Sequence, residues 1–139
     1  MAITYNAEGV KMPLIKKRAT SNWIKRVAQS YGKNIGEIGY MFCSDERILE
    51  VNKEYLQHDY YTDIITFEYN EDDILNGDIF ISLDTVKSNS VNFNTGYEQE
   101  LHRVIIHGIL HLCGINDKTS EERKHMTVCE DKALKLLHE

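Results

Sequence analysis

The chain has 139 residues, of which 42% are hydrophobic and 27% are charged, and it contains a single proline. These values are typical of one globular domain and exclude a disordered or fibrous protein. A domain of this size buries about two thirds of its unfolded surface, so it needs no metal or disulfide merely to fold. The net charge of −6 argues at first against a nucleic-acid partner, because phosphate binding depends on Lys and Arg.

Neither a secretory nor a membrane segment is expected. The N-terminus lacks the basic start and apolar stretch of a secretory signal, which predicts a cytoplasmic protein. The most apolar window, residues 104–115, falls well short of the roughly twenty apolar residues that a spanning helix needs. Three cysteines without a Cys-x-x-Cys pair fit a reducing compartment, and Cys43, Cys113 and Cys129 are expected to be small buried side chains.

The first elements in chain order are a short strand and an amphipathic helix. Residues 2–6 alternate in the manner of a strand, and a weaker apolar stretch follows at 12–15. From Ser21 onward, apolar residues recur at helical spacing, with Thr20 or Ser21 available as the N-cap and Gly32 as the end.

The middle of the chain predicts a strand, a helix and a pair of strands. Alternating apolar residues indicate a strand at 38–42, and the helical period returns over residues 45–56. Residues 64–69 are rich in β-branched and aromatic side chains, and residues 78–82 form another short apolar run. The dipeptide Asn76-Gly77 between these two runs predicts a hairpin turn.

The last third of the chain predicts three helices. One starts at about Leu83 and ends in the polar stretch 92–97, and the next runs from Glu98 into a segment with two histidines. Thr119 and Glu122 have the spacing of a capping box at the start of the last helix. Because strands and helices interleave without a linker, we predict a single α+β domain over residues 1–139.

The two histidines of this segment, His107 and His111, lie one turn apart on one face of the predicted helix, close enough to bind one cation. Gly114 can end the helix and let the chain turn, so that Asp117 returns as a third ligand. Three protein ligands leave a position open for water or substrate, which is the arrangement of a catalytic zinc site. The surrounding sequence is apolar, and a metal relieves the cost of desolvating two imidazoles there.

Gly108, which directly follows His107, separates two classes of enzyme. A glycine inside a helix costs about 1 kcal/mol relative to alanine, which indicates a close approach to the backbone. The spacing His-x3-His-x2-Gly-x2-ligand is that of zinc peptidases, so the expected metal site is zincin-like and lies on a central helix. Those peptidases carry their general base, a glutamate, at the position of Gly108. The absence of this glutamate disfavours peptide hydrolysis. It favours phosphodiesters as substrates, because the metal alone can assist nucleophilic attack on them.

Three blocks of the sequence resemble the YbeY family of single-strand-specific, zinc-dependent endoribonucleases, also called ribosomal RNA maturation factors. These are the histidine segment at 107–114, Tyr-Thr-Asp-Ile-Ile-Thr-Phe at 61–67, and Gly-Asp-Ile at 77–79. The resemblance implies a small mixed sheet packed by helices and an RNA hydrolase with one Zn²⁺ per chain. It also implies a role in small-subunit ribosomal RNA processing and ribosome quality control, with single-stranded or ribosomal RNA and ribosome-associated proteins as partners.

Two positions depart from the family's pattern. Asp117 stands where ungapped counting places the family's third histidine, whereas a one-residue shift would place Lys118 there, which cannot ligate when protonated. We therefore predict His107, His111 and Asp117 as catalytic and metal-binding residues, because carboxylate oxygens and imidazole nitrogens bind zinc at similar distances. The carboxylate broadens the metal choice toward other divalent transition metals. Leu56 stands where the family usually has an arginine, which is thought to act on the phosphate of the RNA.

The basic residues are concentrated in one part of the chain. Residues 9–36 contain seven Lys or Arg and no Asp or Glu, so the acidic surplus lies elsewhere. Such an asymmetry can supply a phosphate-binding face, and Lys25 and Arg26 on the first predicted helix are candidate substrate contacts. They are equally well explained as the solvated face of an amphipathic helix.

Further substrate contacts are expected at the second block, where Thr62 and Asp63 line a groove and Tyr60 and Tyr61 offer a stacking surface for bases. The glutamates Glu100 and Glu130 are expected to be charges on helix surfaces. The other histidines are assigned no role and are expected at the surface or in local hydrogen bonds. These are His58, His102, His125 and His138.

The leading hypothesis is thus a metal-dependent endoribonuclease, with water and the RNA 2′-hydroxyl both open as the nucleophile. Two alternatives remain. In one, the protein is a non-catalytic, metal-stabilised ribosome-assembly partner, in keeping with Leu56 at the arginine position. In the other it is a zincin-like metallopeptidase.

Overall fold

The computed structural model of the protein describes residues 2–56 and 62–138. Within these ranges strands and helices alternate, which confirms the α+β class. The strands are β1 (Ala2–Ala7), β2 (Asn34–Cys43), β3 (Ile64–Glu68) and β4 (Ile74–Ser82). The helices are α1 (Lys17–Ser30), α2 (Asp45–Leu56), α3 (Leu83–Asn92), α4 (Tyr97–Leu112) and α5 (Ser120–Leu137).

The four strands form one mixed sheet in the order β1-β2-β4-β3. Strands β1, β2 and β4 are parallel, and β3 is antiparallel to β4. Residues of α1, α4 and α5 form the main core with one face of the sheet, which includes Tyr40 and Ile79. On the other face, Ile48 of α2 packs near Ile65 in a smaller cluster. The expected small mixed sheet packed by helices is therefore confirmed.

Helix α4 packs closely on β3 and β4 and is buried over most of its length. At Gly108 an added Cβ would lie 3.0 Å from Cδ1 of Ile79 and 3.2 Å from Cδ1 of Ile64. A close approach to the backbone, as inferred from the sequence, thus exists here, and the approaching group is the sheet itself. The contact brings His111, one turn further along α4, next to Thr66 of β3.

Helix α1 begins four residues before the predicted start, and the predicted capping residues are wrong. The N-cap is Lys16, whose side chain makes no capping bond, while Thr20 is buried within the helix. The Ser21 hydroxyl lies 3.0 Å from the Tyr5 hydroxyl, so it holds β1 against α1 and is not available at the helix end. The predicted end is confirmed, because Gly32 follows the helix with a φ of 75°.

The strands β3 and β4 form the predicted antiparallel pair, but the turn is not at Asn76-Gly77. Both residues lie inside β4, and the chain reverses over residues 69–73, where Asp72 has a φ of 52°. The physical reason for the glycine is a close contact between strands, since a Cβ on Gly77 would lie 2.6 Å from the carbonyl oxygen of Phe67. The Asn76 side chain accepts a hydrogen bond from the backbone N–H of Glu37, which ties β4 to β2.

The remaining helix ends agree with the sequence. Ser82 caps α3, and Thr119 and Glu122 form the predicted capping box at the start of α5. The cysteines are free, Cys43 and Cys129 being buried and Cys113 half-buried. Burial raises the pKa of the Cys43 and Cys113 thiols to about 11, as expected for structural side chains. None of the helices in the described ranges is long and apolar enough to cross a membrane.

The contact at Gly77 predicts a large effect of a small substitution. Gly77→Ala places a methyl group against a backbone carbonyl, and we expect a loss of about 1–3 kcal/mol in the free energy of unfolding. The matched control is Gly96→Ala, because the space around Gly96 is open and its φ is already −70°. At position 96, alanine is a weaker N-cap than glycine, but it also makes the unfolded chain less flexible. We expect these two effects on the free energy of unfolding to cancel to within about 0.5 kcal/mol. Urea unfolding of both variants measures the difference, and equal stabilities would contradict the contact.

Candidate functional site

The two predicted histidine ligands lie in the last two turns of α4, and the chain turns directly after them. Gly114 has a φ of 98°, and its N–H donates to the carbonyl oxygen of His111. This turn returns the following loop to the helix, so that Oδ2 of Asp117 lies 3.2 Å from Nε2 of His107. The turn therefore brings Asp117 back to His107.

These three side chains line one cavity of about 310 Å³. Thr62 and Asp63, predicted as substrate contacts, lie on the same cavity wall, just before β3. The block at 61–67 and the histidine segment at 107–114 thus contribute to the same cavity.

Behind His107 lies the carboxylate of Glu130, which was expected at a helix surface. Glu130 of α5 accepts a hydrogen bond from Nδ1 of His107 over 2.7 Å, and its other oxygen accepts one from Nη1 of Arg103 over 2.9 Å. The guanidinium also donates to Asp131 over 2.7 Å. Because a carboxylate can only accept, Nδ1 of His107 donates to Glu130, and Nε2 is the ring nitrogen that faces Asp117.

The expectation that Glu130 and Glu100 are surface charges is wrong. Their exposed fractions are 7% and 5%, because each lies on the side of its helix that faces the core. A signal was present in the sequence, since Glu130 is four residues after Met126 and three before Ala133, both buried on α5. The helical period therefore places Glu130 on the apolar face, where a charge requires a partner.

His111 also has a polar contact at the ring nitrogen Nδ1. Nδ1 of His111 lies 3.2 Å from the hydroxyl of Thr66 on β3. Both imidazoles thus have their Nδ1 atoms engaged by a residue of a neighbouring element. No local sequence signal pointed to Thr66, because its role depends on how β3 packs against α4.

The charges around the cavity shift two pKa values upward. Burial alone would lower the pKa of His107, but its hydrogen bond to Glu130 and the charges of Glu130, Asp117 and Asp63 raise it. Burial raises the pKa of the Asp63 carboxyl, and the neighbouring charge of His107 only partly offsets this.

The structure does not hold the three predicted ligands as a ready-made cluster. Within residues 2–56 and 62–138, no three His, Cys, Asp or Glu side chains stand close enough together to hold a metal ion as they are placed. His107 and Asp117 are in contact, whereas His111 lies on the wall of the same cavity. The metal site therefore stays a prediction.

The other predicted substrate contacts lie away from this cavity or outside the described residues. Lys25 and Arg26 are exposed on α1, and Arg26 donates to the carbonyl oxygen of Leu136 at the end of α5. Tyr60 and Tyr61 lie outside the described residues, as does His58. Of the histidines without an assigned role, His102 is buried and donates locally to the Glu98 carbonyl oxygen, while His125 and His138 are exposed.

The contact between Glu130 and His107 predicts a shift in the titration of His107. In chelator-treated protein, Glu130→Gln removes a charge and a charged hydrogen bond, so we expect the pKa of His107 to fall. Asp131→Asn is the matched control, because Asp131 is exposed and touches Arg103 but not His107. NMR spectra of the imidazoles as a function of pH give both values, and an unchanged pKa in Glu130→Gln would contradict the contact.

The same shift fixes how His107 contributes to stability. Its folded-state pKa is raised, so the folded protein binds the proton more tightly than the unfolded chain. The stabilising contribution is fully present below the unfolded pKa and is lost as the pH rises through the folded one. Glu130→Gln is expected to flatten this part of the stability profile.

Comparison with known proteins identifies the family. A family model described as Endoribonuclease YbeY matches residues 4–138. A protein named Endoribonuclease YbeY from Bacteroides fragilis is 69% identical over 136 residues, which cover 98% of each chain. Proteins of the same name from Bacteroides thetaiotaomicron and Porphyromonas gingivalis W83 are 67% and 56% identical, covering 98% and 99% of this chain and 99% and 91% of their own.

The fold is shared with a solved structure as well. The solution structure of a structural-genomics target protein from Thermotoga maritima matches with a TM-score of 0.67 and 26% identity. The match covers 98% of this chain and 89% of that one. The resemblance inferred from three sequence blocks is thereby confirmed: the chain belongs to the YbeY family of endoribonucleases.

Proposed function

We propose that the protein is a metal-dependent endoribonuclease that cuts single-stranded RNA and acts in ribosomal RNA processing, and with it in ribosome quality control. The observation that carries this function is the cavity that His107, His111 and Asp117 line, with Glu130 bound to the first histidine. The relatives named Endoribonuclease YbeY, which match the chain over nearly its whole length, supply the substrate class.

The chemistry of the donors suits a zinc-like ion. Two imidazoles with engaged Nδ1 atoms leave Nε2 as the ligating atom, which is the usual arrangement around a metal-bound histidine. The 3.2 Å between Nε2 of His107 and Oδ2 of Asp117 is close to the roughly 3.3 Å that separates two donors of a tetrahedral zinc. We therefore assign one Zn²⁺ per chain to these three residues, with other divalent transition metals as substitutes.

A bound divalent ion supplies Lewis acidity toward a phosphoryl oxygen and lowers the pKa of a coordinated water. The protein's own residues orient and surround the reacting groups. Glu130, itself bound by Arg103, orients the His107 ring through Nδ1, and the Thr66 hydroxyl lies against Nδ1 of His111 and orients that ring. Asp63, whose pKa is raised by burial, is the carboxyl on the cavity wall that we place in proton transfer.

Position 108 supports a nuclease over a zincin-like peptidase. Gly108 faces the sheet, where even a Cβ would lie 3.0 Å from Ile79. A glutamate at this position would be directed into the core and not into the cavity. The fold therefore has no place for the peptidase base next to the first histidine.

Single-stranded RNA and the ribosome are the proposed partners, and the cytoplasm is the proposed location. The free cysteines fit a reducing compartment. The exposed basic residues of α1, among them Lys25 and Arg26, supply positive charge for a longer RNA outside the cavity. A non-catalytic role in ribosome assembly is the second candidate, favoured by Leu56 at the position of the family's arginine.

Metal analysis tests the site. Protein purified without chelator is expected to contain about one divalent ion per chain, and His111→Ala is expected to lose it. The control is His125→Ala, because His125 is exposed on α5 and does not line the cavity. Elemental analysis by mass spectrometry gives the content, and wild-type protein that stays metal-free after zinc addition and dialysis would refute the site. Asp117→His should keep the ion, and its loss would count against the proposed third ligand.

RNA cleavage tests the activity. We expect wild-type protein to cut an unstructured ribosomal RNA fragment, and His107→Ala to be slower by at least about a hundredfold, since even outer partners of metal ligands are worth 10–100-fold. The same RNA in a duplex, and an unstructured protein, serve as controls that are expected to stay intact. If both variants cut the single strand equally, or neither cuts it, the enzymatic role fails and the assembly role is favoured. Cleavage of the protein substrate alone would instead favour the peptidase.

A further inference from the structure

A second cavity of about 420 Å³ lies on the other side of His107. It is formed where the end of α3, the following loop, α4 and α5 meet. His107 and Asp63 belong to the walls of both cavities, so a ligand in the second one lies next to the proposed reaction centre. None of the functions assigned above uses this space.

The outer wall of the second cavity combines an aromatic ring with polar groups. Phe93, at the C-cap of α3, lines the cavity and is 67% exposed, so its ring is open to a ligand. Asn89 lies one turn earlier on the same helix and also lines the cavity. The hydroxyl of Thr95 is buried and, among the described residues, has no hydrogen-bond partner. Such a group carries a free-energy cost that a bound ligand can remove.

The charges of the cavity favour a neutral ligand over a phosphate. Three carboxyls line it, those of Asp63, Glu100 and Glu130. The one guanidinium, Arg103, already donates to Glu130 and Asp131. A phosphate would face this acidic surplus, whereas a flat ring with N–H donors can stack on Phe93 and donate to the carboxyls.

We propose that the second cavity is a nucleobase subsite, in which one unpaired base of the RNA stacks on Phe93 and hydrogen-bonds to Thr95 and Asn89. The neighbouring phosphodiester then lies at the cavity of His107 and His111. A base in a duplex is already stacked and paired on both sides, so only a single strand can place a base here. The subsite thus accounts for single-strand selectivity, and it rests on the function proposed above.

Binding measured apart from cleavage tests this subsite. The probe is a fluorescein-labelled, unstructured oligoribonucleotide, titrated with the full-length protein in the presence of a chelator that stops cleavage. Loss of one stacked base is worth a factor of about ten in Kd, so Phe93→Ala is expected to bind about tenfold more weakly. Phe93→Trp is expected to restore the affinity, and Thr95→Val is expected to weaken it. The matched control is Val91→Ala, because Val91 lies on α3, is exposed to a similar extent (73% against 67%) and does not line the cavity.

A series of probes with a single abasic position separates the base from the backbone. In the wild type, one position is expected to lower the affinity about tenfold, and in Phe93→Ala the same position is expected to have no further effect. Equal affinities of wild type and Phe93→Ala overturn the subsite, as does a full loss in Phe93→Trp.

The outcomes distinguish the subsite from the proposed function. Wild-type cleavage that depends on His111 but not on Phe93 overturns the subsite alone and leaves the nuclease in place. Binding that depends on Phe93 in a protein that never cuts RNA supports the subsite and refutes the nuclease. A protein that neither binds nor cuts the probe refutes both.

Discussion

The hydrogen bond between His107 and Glu130 joins α4 and α5 at the wall of the cavity that His107, His111 and Asp117 line. A carboxylate that is almost fully buried is tolerated there because both of its oxygens have donors, one on the imidazole and one on Arg103. Removal of one partner from such a buried charged network typically costs about 3–5 kcal/mol, because the remaining charge stays buried without compensation. The orientation of the His107 ring is therefore set by the packing of α4 against α5 and needs no metal to define it.

The position of the site follows from the packing of α4 on the sheet. Gly108 lets the helix approach β3 and β4, and this approach places His111 beside Thr66. The same glycine removes the residue that peptidases with this histidine spacing use as a base. One small residue thus lets the helix pack closely on the sheet and leaves no carboxylate directly after the first histidine.

Much of the fold could be predicted from the sequence because burial repeats with a regular period. The alternation around Tyr40 and the capping box at Thr119 are local signals, and the structure contains both elements. The turn was misplaced because Asn-Gly is also suited to a strand in which Gly77 must admit a neighbouring carbonyl. A contact of that kind joins residues of two strands and leaves no mark in either alone.

The site was predictable in part for the same reason. His107, His111 and Asp117 lie within eleven residues, and the turn at Gly114 is a local feature. Glu130 was missed because charged residues are usually exposed, whereas its helical phase with Met126 places it on the buried side of α5. Thr66 and the wall around Phe93 arise only when separate elements pack together, and no pattern along the chain contains that information.

The loop between α4 and α5 is anchored at both ends, by the left-handed turn at Gly114 and by the capping box of Thr119 and Glu122. The backbone at position 117 is consequently fixed by its two flanking helices and not by the side chain it carries. A single substitution there can exchange a neutral imidazole for an anionic carboxylate without rebuilding the scaffold. The net charge of the cavity can therefore change at this one position while the fold around it stays constant.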